Sequence, residues 1–208
     1  MVATEAETAT ATRPPSLTAN EIAVLTGIAA ARVRKLCDPV EGIAKGDVSI
    51  AGRRCRAYEP VAVRYVFLRS LGEIEALMGR DTAWDSCVDA VRELDAASDL
   101  WPLGRMLRLD VSGERERLDE IERRVRVYLG SRDRWIRRDP GIFNGEPIVA
   151  GTRVPVAVIA GRLEAGESPD DLAEDYPTIP PEVVEVATLF ARAFPRRGRP
   201  PRPWARTA

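Results

Sequence analysis

The side chains that could do chemistry in this 208-residue chain are carboxylates, arginines and three cysteines, because the sequence contains no histidine. Without histidine, Ser-His-Asp and Cys-His catalysis and the usual zinc sites are excluded. Cys37, Cys55 and Cys87 are far apart and form no C-x-x-C pair, so we expect buried or half-buried residues that bind no metal. The acids show no arrangement typical of a catalytic cleft. We therefore predict a protein that is not an enzyme and needs no cofactor.

Charge is segregated along the chain, although the formal net charge is only −1. Residues 1–80 hold eleven Lys or Arg against nine acids, and residues 81–190 hold fourteen against twenty-three. Residues 191–208 hold six Arg and no acid. Such asymmetry indicates macromolecular partners, and the two basic ends are the candidate binding sites.

The N-terminal residues 1–15 are rich in Ala, Thr and Glu, and we expect them to be disordered. They have neither the basic start nor the apolar core of a secretory signal. The sequence has no run of about 18 apolar residues, so we predict no membrane span. These features favour a cytoplasmic location.

Residues 16–80 have the pattern of a winged helix-turn-helix. Thr18 can cap a helix over 19–25, with Glu21 three positions later completing a capping box. A Thr-Gly-Ile turn and a second helix over about 29–37 follow.

The same region continues with a short hairpin over 47–58 and a long helix from Glu59-Pro60 to about Met78. The order helix, Thr-Gly-Ile turn, helix, Arg-x-Tyr hairpin, helix resembles the DNA-binding half of MerR-like regulators. The candidate DNA-binding residues are Thr18 at the first helix, Arg32, Arg34 and Lys35 on the second, and Arg53, Arg54 and Arg56 on the hairpin.

Residues 81–134 are predicted to connect this module to the C-terminal part of the chain. We expect a helix over 81–98, a short strand over 106–109 and a charged helix over 113–129. Leu118, Ile121 and Tyr128 lie at helical spacing and should face the core.

Residues 139–156, DPGIFNGEPIVAGTRVPV, are punctuated by glycine and proline. Two short β-type runs, 147–149 and 153–156, predict a small hairpin that leads into a helix. Three helices are expected after it, over about 155–165, 168–175 and 180–193. Residues 135–194 are thus predicted to form a hairpin and three-helix, helix-turn-helix-like domain.

The motif D-P-x-I-x-x-G-x-P-I-x-x-G-T-R-V-P-V, followed by A-G-E-S-P-D-D-L-A-E-D-Y-P, resembles a bacterial domain of unknown function that is placed with VapB-type antitoxins of toxin–antitoxin pairs. The resemblance covers about residues 135–193. It implies a cognate toxin, commonly a small PIN-like RNase whose clustered acids hold Mg²⁺. The structural residues of the motif are Asp139, Gly145, Pro147, Gly151, Thr152 and Arg153.

Arg153 has two interpretations. Because it lies between two turn-forming pairs, the backbone should aim it at a fixed place. It either forms an internal salt bridge to Asp139 or Glu146, or contacts a partner or DNA. Asp139-Pro140 itself predicts a turn and not an acid catalyst.

Charge decides which module should contact DNA. The second helix of the C-terminal domain carries Asp170, Asp171, Glu174 and Asp175, which would repel phosphates. We therefore expect the N-terminal module to bind DNA and the C-terminal domain to pack or dimerise.

Residues 195–208, PRRGRPPRPWARTA, are predicted to be a basic, extended tail. An arginine guanidinium can bind a carboxylate bidentately, through two parallel hydrogen bonds. It could therefore occupy the position of the toxin's metal. The alternatives are a nonspecific DNA-binding tail or a solubilising one. The candidate toxin-binding residues are Arg192, Arg196, Arg197, Arg199, Arg202, Trp204 and Arg206.

The sequence thus predicts a mainly α protein with small β-hairpins and two modules. The expected function is that of a homodimeric antitoxin that neutralises a cognate RNase toxin and represses its own operon by binding operator DNA. The alternative is a stand-alone MerR-like transcriptional regulator in which residues 81–190 sense a signal or dimerise.

Overall fold

The computed structural model of the protein describes residues 16–50, 53–71, 84–93, 98–103 and 107–195. In these residues the fold is mostly helical with small antiparallel sheets, which confirms the coarse prediction. The helices are α1 (Ala19–Thr26), α2 (Ala30–Cys37), α3 (Val61–Ser70), α4 (Trp84–Glu93), α5 (Arg115–Trp135), α6 (Val156–Glu164), α7 (Pro169–Asp175) and α8 (Pro181–Ala193). The strands are β1 (Leu17–Thr18), β2 (Lys45–Ile50), β3 (Arg53–Tyr58), β4 (Leu100–Leu103), β5 (Leu107–Asp110), β6 (Ile136–Arg138) and β7 (Pro147–Val149).

The first two helices begin and turn as their local sequence predicts. The Thr18 hydroxyl accepts a hydrogen bond from the Glu21 amide, and the Glu21 carboxylate accepts one from the Thr18 amide, so the capping box is formed. Gly27 ends α1 at φ +78°, a conformation that glycine adopts without strain. The chain therefore reverses quickly and starts α2 only four residues after α1 ends.

The predicted hairpin is part of a three-stranded sheet. β2 pairs with β3 from Lys45–Tyr58 to Ile50–Arg53, and β1 pairs with the other edge of β3. The pairing of β1 was not predicted because this strand has two residues and no periodicity. It ties the start of α1 to the sheet.

Helix α3 is shorter than predicted. It ends at Ser70, whereas the apolar spacing predicted a helix to about Met78. The Ser70 hydroxyl donates to the Phe67 carbonyl at 2.6 Å, and Leu71 takes an extended conformation, which stops the helical hydrogen-bond pattern. Residues 72–78 of the predicted helix lie outside the described residues.

The connecting region contains more order than expected. α4 lies within the predicted helix 81–98, and β5 overlaps the predicted strand and pairs with β4, which was not predicted. α5 is 21 residues long and continues six residues beyond the predicted end at Leu129. Leu118, Ile121 and Tyr128 are buried, as the helical spacing predicted.

The hairpin of the glycine- and proline-rich motif differs from the prediction. β7 pairs with β6 from Ile136–Val149 to Arg138–Pro147, and not with a strand over 153–156. Residues 153–155 contribute only an isolated bridge between Ile148 and Pro155. Proline has no amide hydrogen, so Pro155 cannot extend a second ladder. It instead precedes α6.

Helix α8 lies at the centre of the core. It packs against α5, α6, α7 and also α1, so the N-terminal and C-terminal parts share one hydrophobic cluster. Val183, Val186 and Ala187 on α8 are fully buried. A hydrogen bond at the end of α8 reinforces this arrangement: the Asn20 side-chain amide donates to the Ala193 carbonyl at 3.1 Å. Residues predicted to form separate modules are therefore joined by continuous packing.

Candidate nucleic-acid interface

The outer face of α2 exposes the positive charges of Arg34 and Lys35. Val33 and Leu36 are buried, which turns Arg34 and Lys35 to the solvent. In the described part of the chain, neither of these two side chains forms an ion pair. Arg32 is half-buried on the same helix. Two full positive charges on one exposed helical face can approach a phosphate backbone without first breaking an internal contact.

Two arginines of the hairpin next to α2, Arg54 and Arg56, already contact carboxylates. Arg54 is 82% exposed and bonds Asp47 across the strands at 2.7 Å. Arg56 lies 3.7 Å from Asp38, and the backbone of Arg53 pairs with Ile50. Since an exposed pair contributes little to stability, Arg54 and Arg56 can exchange their partners for phosphates at modest expense.

Asp38 holds the hairpin against the end of α2. Its carboxylate accepts a hydrogen bond from the Tyr58 hydroxyl at 2.8 Å as well as the Arg56 contact, and its carbonyl accepts from the Lys45 ammonium at 2.8 Å. Burial and the bond to Asp38 raise the pKa of the Tyr58 hydroxyl, so it stays a donor. Sequence reasoning missed this connection because Asp38 and Tyr58 are 20 positions apart and share no local pattern.

Thr18 requires a correction to the predicted DNA-binding set. It is only 2% exposed, and its hydroxyl is used in the α1 capping box. A buried cap cannot reach a phosphate, so Thr18 is a structural residue. Six candidates remain: Arg32, Arg34, Lys35, Arg53, Arg54 and Arg56.

The acidic partner of the Thr18 cap anchors the module to the rest of the protein. Glu21 is buried and accepts hydrogen bonds from the Tyr128 hydroxyl at 2.8 Å and from Arg132 at 2.7 Å. Arg124 on the same long helix donates to the carbonyls of Val24 and Leu25 at the end of α1. Arg132 lies three residues beyond the predicted end of this helix at Leu129, and the longer α5 turns it into the core.

Helix α7 carries the exposed acidic surface that was predicted for the second helix of the C-terminal domain. Asp170, Glu174 and Asp175 are exposed on α7, and Asp171 caps that helix with Ser168. The bond from the Ser168 amide lowers the pKa of Asp171, which keeps it ionised. Arg162 forms ion pairs with both Asp175 and Glu167, so its positive charge is already neutralised by these acids. This surface is unsuited to phosphate contact.

The motif residues have structural positions that the sequence largely predicted. The Asp139 carboxylate accepts from the Gly141 amide at 2.8 Å, which forms the expected turn, and Gly145 and Gly151 adopt φ of +74° and +76°. The Thr152 hydroxyl accepts from the Val154 amide at 3.0 Å and closes the bend before α6. Pro147 starts β7.

Arg153 does not form either of the predicted internal salt bridges. It is exposed, and among the described residues it makes no ion pair with Asp139 or Glu146. The interpretation as a stabilising internal pair is therefore corrected. The alternative, contact with a partner or with DNA, stays a prediction.

The predicted toxin-binding residues lie mostly outside the described residues. Arg192 is described: it is exposed at the end of α8, and its guanidinium lies 3.8 Å from the Glu164 carboxylate. Arg196, Arg197, Arg199, Arg202, Trp204 and Arg206 all follow the last described residue, Pro195.

The described residues contain no group of three or more acids and cysteines that could hold a metal ion. The same part of the chain has no helix that is both long and apolar enough to cross a membrane. Cys37 and Cys87 are buried and Cys55 is half-buried, as predicted. Burial raises the pKa of the Cys37 thiol to about 12, so it stays protonated and unreactive at neutral pH.

The segment from β6 to α8 has relatives. Residues 136–191 match the family described as "Protein of unknown function (DUF433)". An uncharacterised protein, y4eO of Sinorhizobium fredii (strain NBRC 101917 / NGR234), is 36% identical over 87 residues, which are 42% of this chain and 36% of that protein. The alignment thus spans about a third of the relative's length. No solved structure matches the chain significantly.

The DUF433 match coincides with a structural unit. It begins at Ile136, the first residue of β6, and ends in the last turn of α8 at Ala191. The motif that predicted a bacterial domain of unknown function therefore lies within a segment of that kind. Its assignment to antitoxins stays a prediction.

Proposed function

We propose that this protein is a DNA-binding antitoxin. It neutralises a cognate RNase toxin by direct contact and represses its own operon as a homodimer. The antitoxin part of the proposal rests on the resemblance of the motif in the DUF433 segment to VapB-type antitoxins and on the composition of the tail after Pro195.

The observation that best supports DNA binding is the contrast between α2 and α7. Arg34 and Lys35 are exposed without an ion pair in the described part of the chain, whereas α7 presents Asp170, Glu174 and Asp175. DNA attracts the first surface, because each phosphate that Arg or Lys neutralises releases counterions. It repels the second, because carboxylates and phosphates are both negatively charged. The α1–α2 pair and the β2–β3 hairpin are therefore the proposed winged helix-turn-helix, with α2 as its recognition helix.

The proposed toxin contact is the arginine-rich tail. Its arginines would bind the clustered acids of a PIN-like RNase and take the place of Mg²⁺ there. Trp204 would be the aromatic anchor. Because the glutamate and aspartate residues of α7 would repel DNA, we assign packing and dimerisation to the DUF433 segment.

Co-expression tests the proposal. Expression of a small acidic-cluster nuclease gene next to the gene of this protein should arrest growth, and co-expression of this protein should restore it. If no such gene is adjacent, or if growth is not restored, the antitoxin function is wrong. The MerR-like regulator would then be favoured, provided that DNA binding persists.

A further inference from the structure

In the DUF433 segment, β6 and residues 153–155 flank β7 in a narrow ribbon. Ile136 on one side of β7 and Val154 on the other both pack against the hydrophobic cluster. Successive side chains of an extended chain point to opposite faces. Arg137 and Arg153 are the sequence neighbours of these two core-facing residues, and both are exposed. They therefore lie on the outward face of the ribbon.

A third arginine lies at the end of the ribbon where α5 leads into β6. The Ala150 amide donates to the Trp135 carbonyl at 2.7 Å, which brings the turn before Arg153 next to the last residue of α5. Arg134 is exposed there, and its guanidinium lies 5.0 Å from the centre of the Trp135 ring. Arg134 and Arg153 thus flank this end of the ribbon, and Arg137 follows on β6. We call these three arginines the arginine face.

The charge of the arginine face is not neutralised by carboxylates of the described residues, since none of its three guanidiniums forms an ion pair with them. Asp133, the acid next to Arg134, forms an ion pair with Arg132 at 2.8 Å. Asp139 follows β6 and Glu146 precedes β7, so both acids lie at the opposite end of the ribbon. The arginine face therefore presents three positive charges to the solvent.

The arginines on the helices of the same segment are paired instead. Arg162 on α6 forms ion pairs with Glu167 and Asp175, and Arg192 on α8 lies 3.8 Å from Glu164. The carboxylate contacts are thus concentrated on the helices, and the ribbon carries the uncompensated guanidiniums. Like charges that the fold holds together repel one another, so a polyanion that covers such a face is attracted to it.

The composition of the arginine face favours phosphates over a protein surface. A stable protein–protein interface needs an apolar, well-packed centre. The exposed large hydrophobic side chains of the described residues are Leu100 on β4 and Phe143 in the loop between β6 and β7. That loop lies at the end of the ribbon opposite to Arg153, so neither side chain supplies a centre here. Interfaces with DNA, by contrast, are polar and strongly positively charged.

We propose that Arg134, Arg137 and Arg153 bind phosphates of the promoter duplex, which makes the ribbon a second DNA contact in addition to α2. The inference rests on the proposed function, because it assigns a further surface to the DNA binding proposed there. It adds a contact to the packing and dimerisation proposed for the helices of the DUF433 segment. A guanidinium binds phosphate oxygens bidentately, and contacts of this kind fix the orientation of a protein on the duplex without reading bases.

Binding of the full chain to duplex DNA over a salt series tests this surface. The glutamine pair, Arg137→Gln with Arg153→Gln, removes two charges, and neither side chain forms a hydrogen bond or ion pair within the described residues. The control pair, Arg123→Gln with Arg126→Gln, removes two exposed charges from α5. The lysine pair, Arg137→Lys with Arg153→Lys, keeps the charge. Thermal unfolding checks that all three variants are folded.

The glutamine pair is expected to lower the affinity for the promoter duplex roughly tenfold at about 0.1 M salt. The slope of log affinity against log salt should become less steep by about 2, one for each lost phosphate contact. Because phosphates carry no sequence information, an unrelated duplex of the same length should lose affinity by the same factor. The control pair and the lysine pair should both keep a slope close to that of the wild type.

The proposal is wrong if the glutamine pair binds the duplex with the wild-type slope, or if the control pair changes the slope as much. It is also wrong if the glutamine pair binds duplex DNA normally but loses binding to the nuclease or to a single-stranded RNA, since the face then contacts another macromolecule.

The failure of this inference is distinguishable from a failure of the proposed function. Normal binding by the glutamine pair, together with lost binding by Arg34→Ala with Lys35→Ala, would overturn the ribbon contact and leave the role of α2 intact. A wild-type chain that binds no duplex would contradict the proposed DNA binding itself. Growth rescue by the wild-type chain scores the antitoxin function separately.

Discussion

Arg132 on α5 donates a 2.7 Å hydrogen bond from Nη1 to Oε1 of Glu21 on α1, and the two side chains are 8% and 0% exposed. These residues are 111 positions apart in sequence. The pair joins the first helix of the proposed DNA-binding module to the helix that leads into the DUF433 segment. It is the best-buried charge contact among the ion pairs between described residues.

Removing one member of this pair should destabilise the whole protein. Arg132→Met or Glu21→Gln is expected to lower the free energy of unfolding by about 3–5 kcal/mol, because the remaining group is buried without its partner. The double variant should lose clearly less than the sum of the two. Urea unfolding measures all three.

The control for this pair is Arg123→Met, which breaks an exposed pair with Glu120. It should change the free energy of unfolding by less than about 1 kcal/mol. Additive effects of the two core substitutions would show that Glu21 and Arg132 do not act as a pair.

Removing charge from α2 should weaken DNA binding. Arg34→Ala with Lys35→Ala is expected to lower affinity for a duplex covering the gene's own promoter by roughly ten- to a hundredfold at about 0.1 M salt. The slope of log affinity against log salt should become less steep by about 2, one for each lost phosphate contact. Arg54→Ala should have a smaller effect, because Arg54 must first leave Asp47.

The control for the DNA experiment is Arg126→Ala, which also removes exposed positive charge but lies on α5. A gel shift over several salt concentrations compares the variants. The assignment of α2 would be lost if the double variant bound with the wild-type slope, or if Arg126→Ala lowered affinity as strongly.

Gly151 should be required for the bend before α6. Gly151→Ala is expected to lower the free energy of unfolding by about 1–2 kcal/mol, because φ of +76° is unfavourable for a residue with a Cβ. Gly130→Ala is the matched control, for which the opposite change is expected. Gly130 lies inside α5, where a Cβ meets no atom within 4 Å. The substitution should therefore raise the free energy of unfolding by up to about 1 kcal/mol. Equal effects of the two substitutions in thermal unfolding would refute this role of the turn.

Deleting residues 195–208 should separate the two proposed activities. The truncated chain is expected to lose neutralisation of the nuclease and to keep promoter binding, because α1, α2 and the β2–β3 hairpin are intact. Deletion of residues 1–15 is the control, and it should preserve neutralisation. Growth rescue and gel shift measure the two activities in parallel. If the chain without its tail still neutralises the nuclease, the tail is not the inhibitor.

Local signals in the sequence predicted the helices well and the contacts between them poorly. The Thr18 and Ser168 caps and the Gly27 turn could be predicted because each depends on residues within about four positions. The Glu21–Arg132 pair, the Asp38–Tyr58 bond and the β6–β7 ladder depend on chain segments brought together by folding. No periodicity marks such partners. The burial of Arg132 in a highly charged helix is the clearest example.

The candidate interface was predictable to the same extent. Arg34 and Lys35 are exposed because the apolar spacing of Val33 and Leu36 fixes the orientation of α2. The pairing of Arg54 with Asp47 depends on strand register, and Arg153 lies in the loop between β7 and α6, so neither could be read from residue types. The left-handed backbone of Phe143, with φ of +47°, was not predicted either, because glycine and asparagine are the residues that usually adopt it.

The most direct test of the central claim is the isolation of the tagged full chain from cells that express its native locus. A stable complex with a second chain is predicted, identified by mass spectrometry as an adjacent acidic-cluster nuclease, whose RNase activity is absent in the complex and returns when this chain is removed. Recovery of this chain alone, or of a complex in which the nuclease stays active, would contradict the proposed antitoxin function.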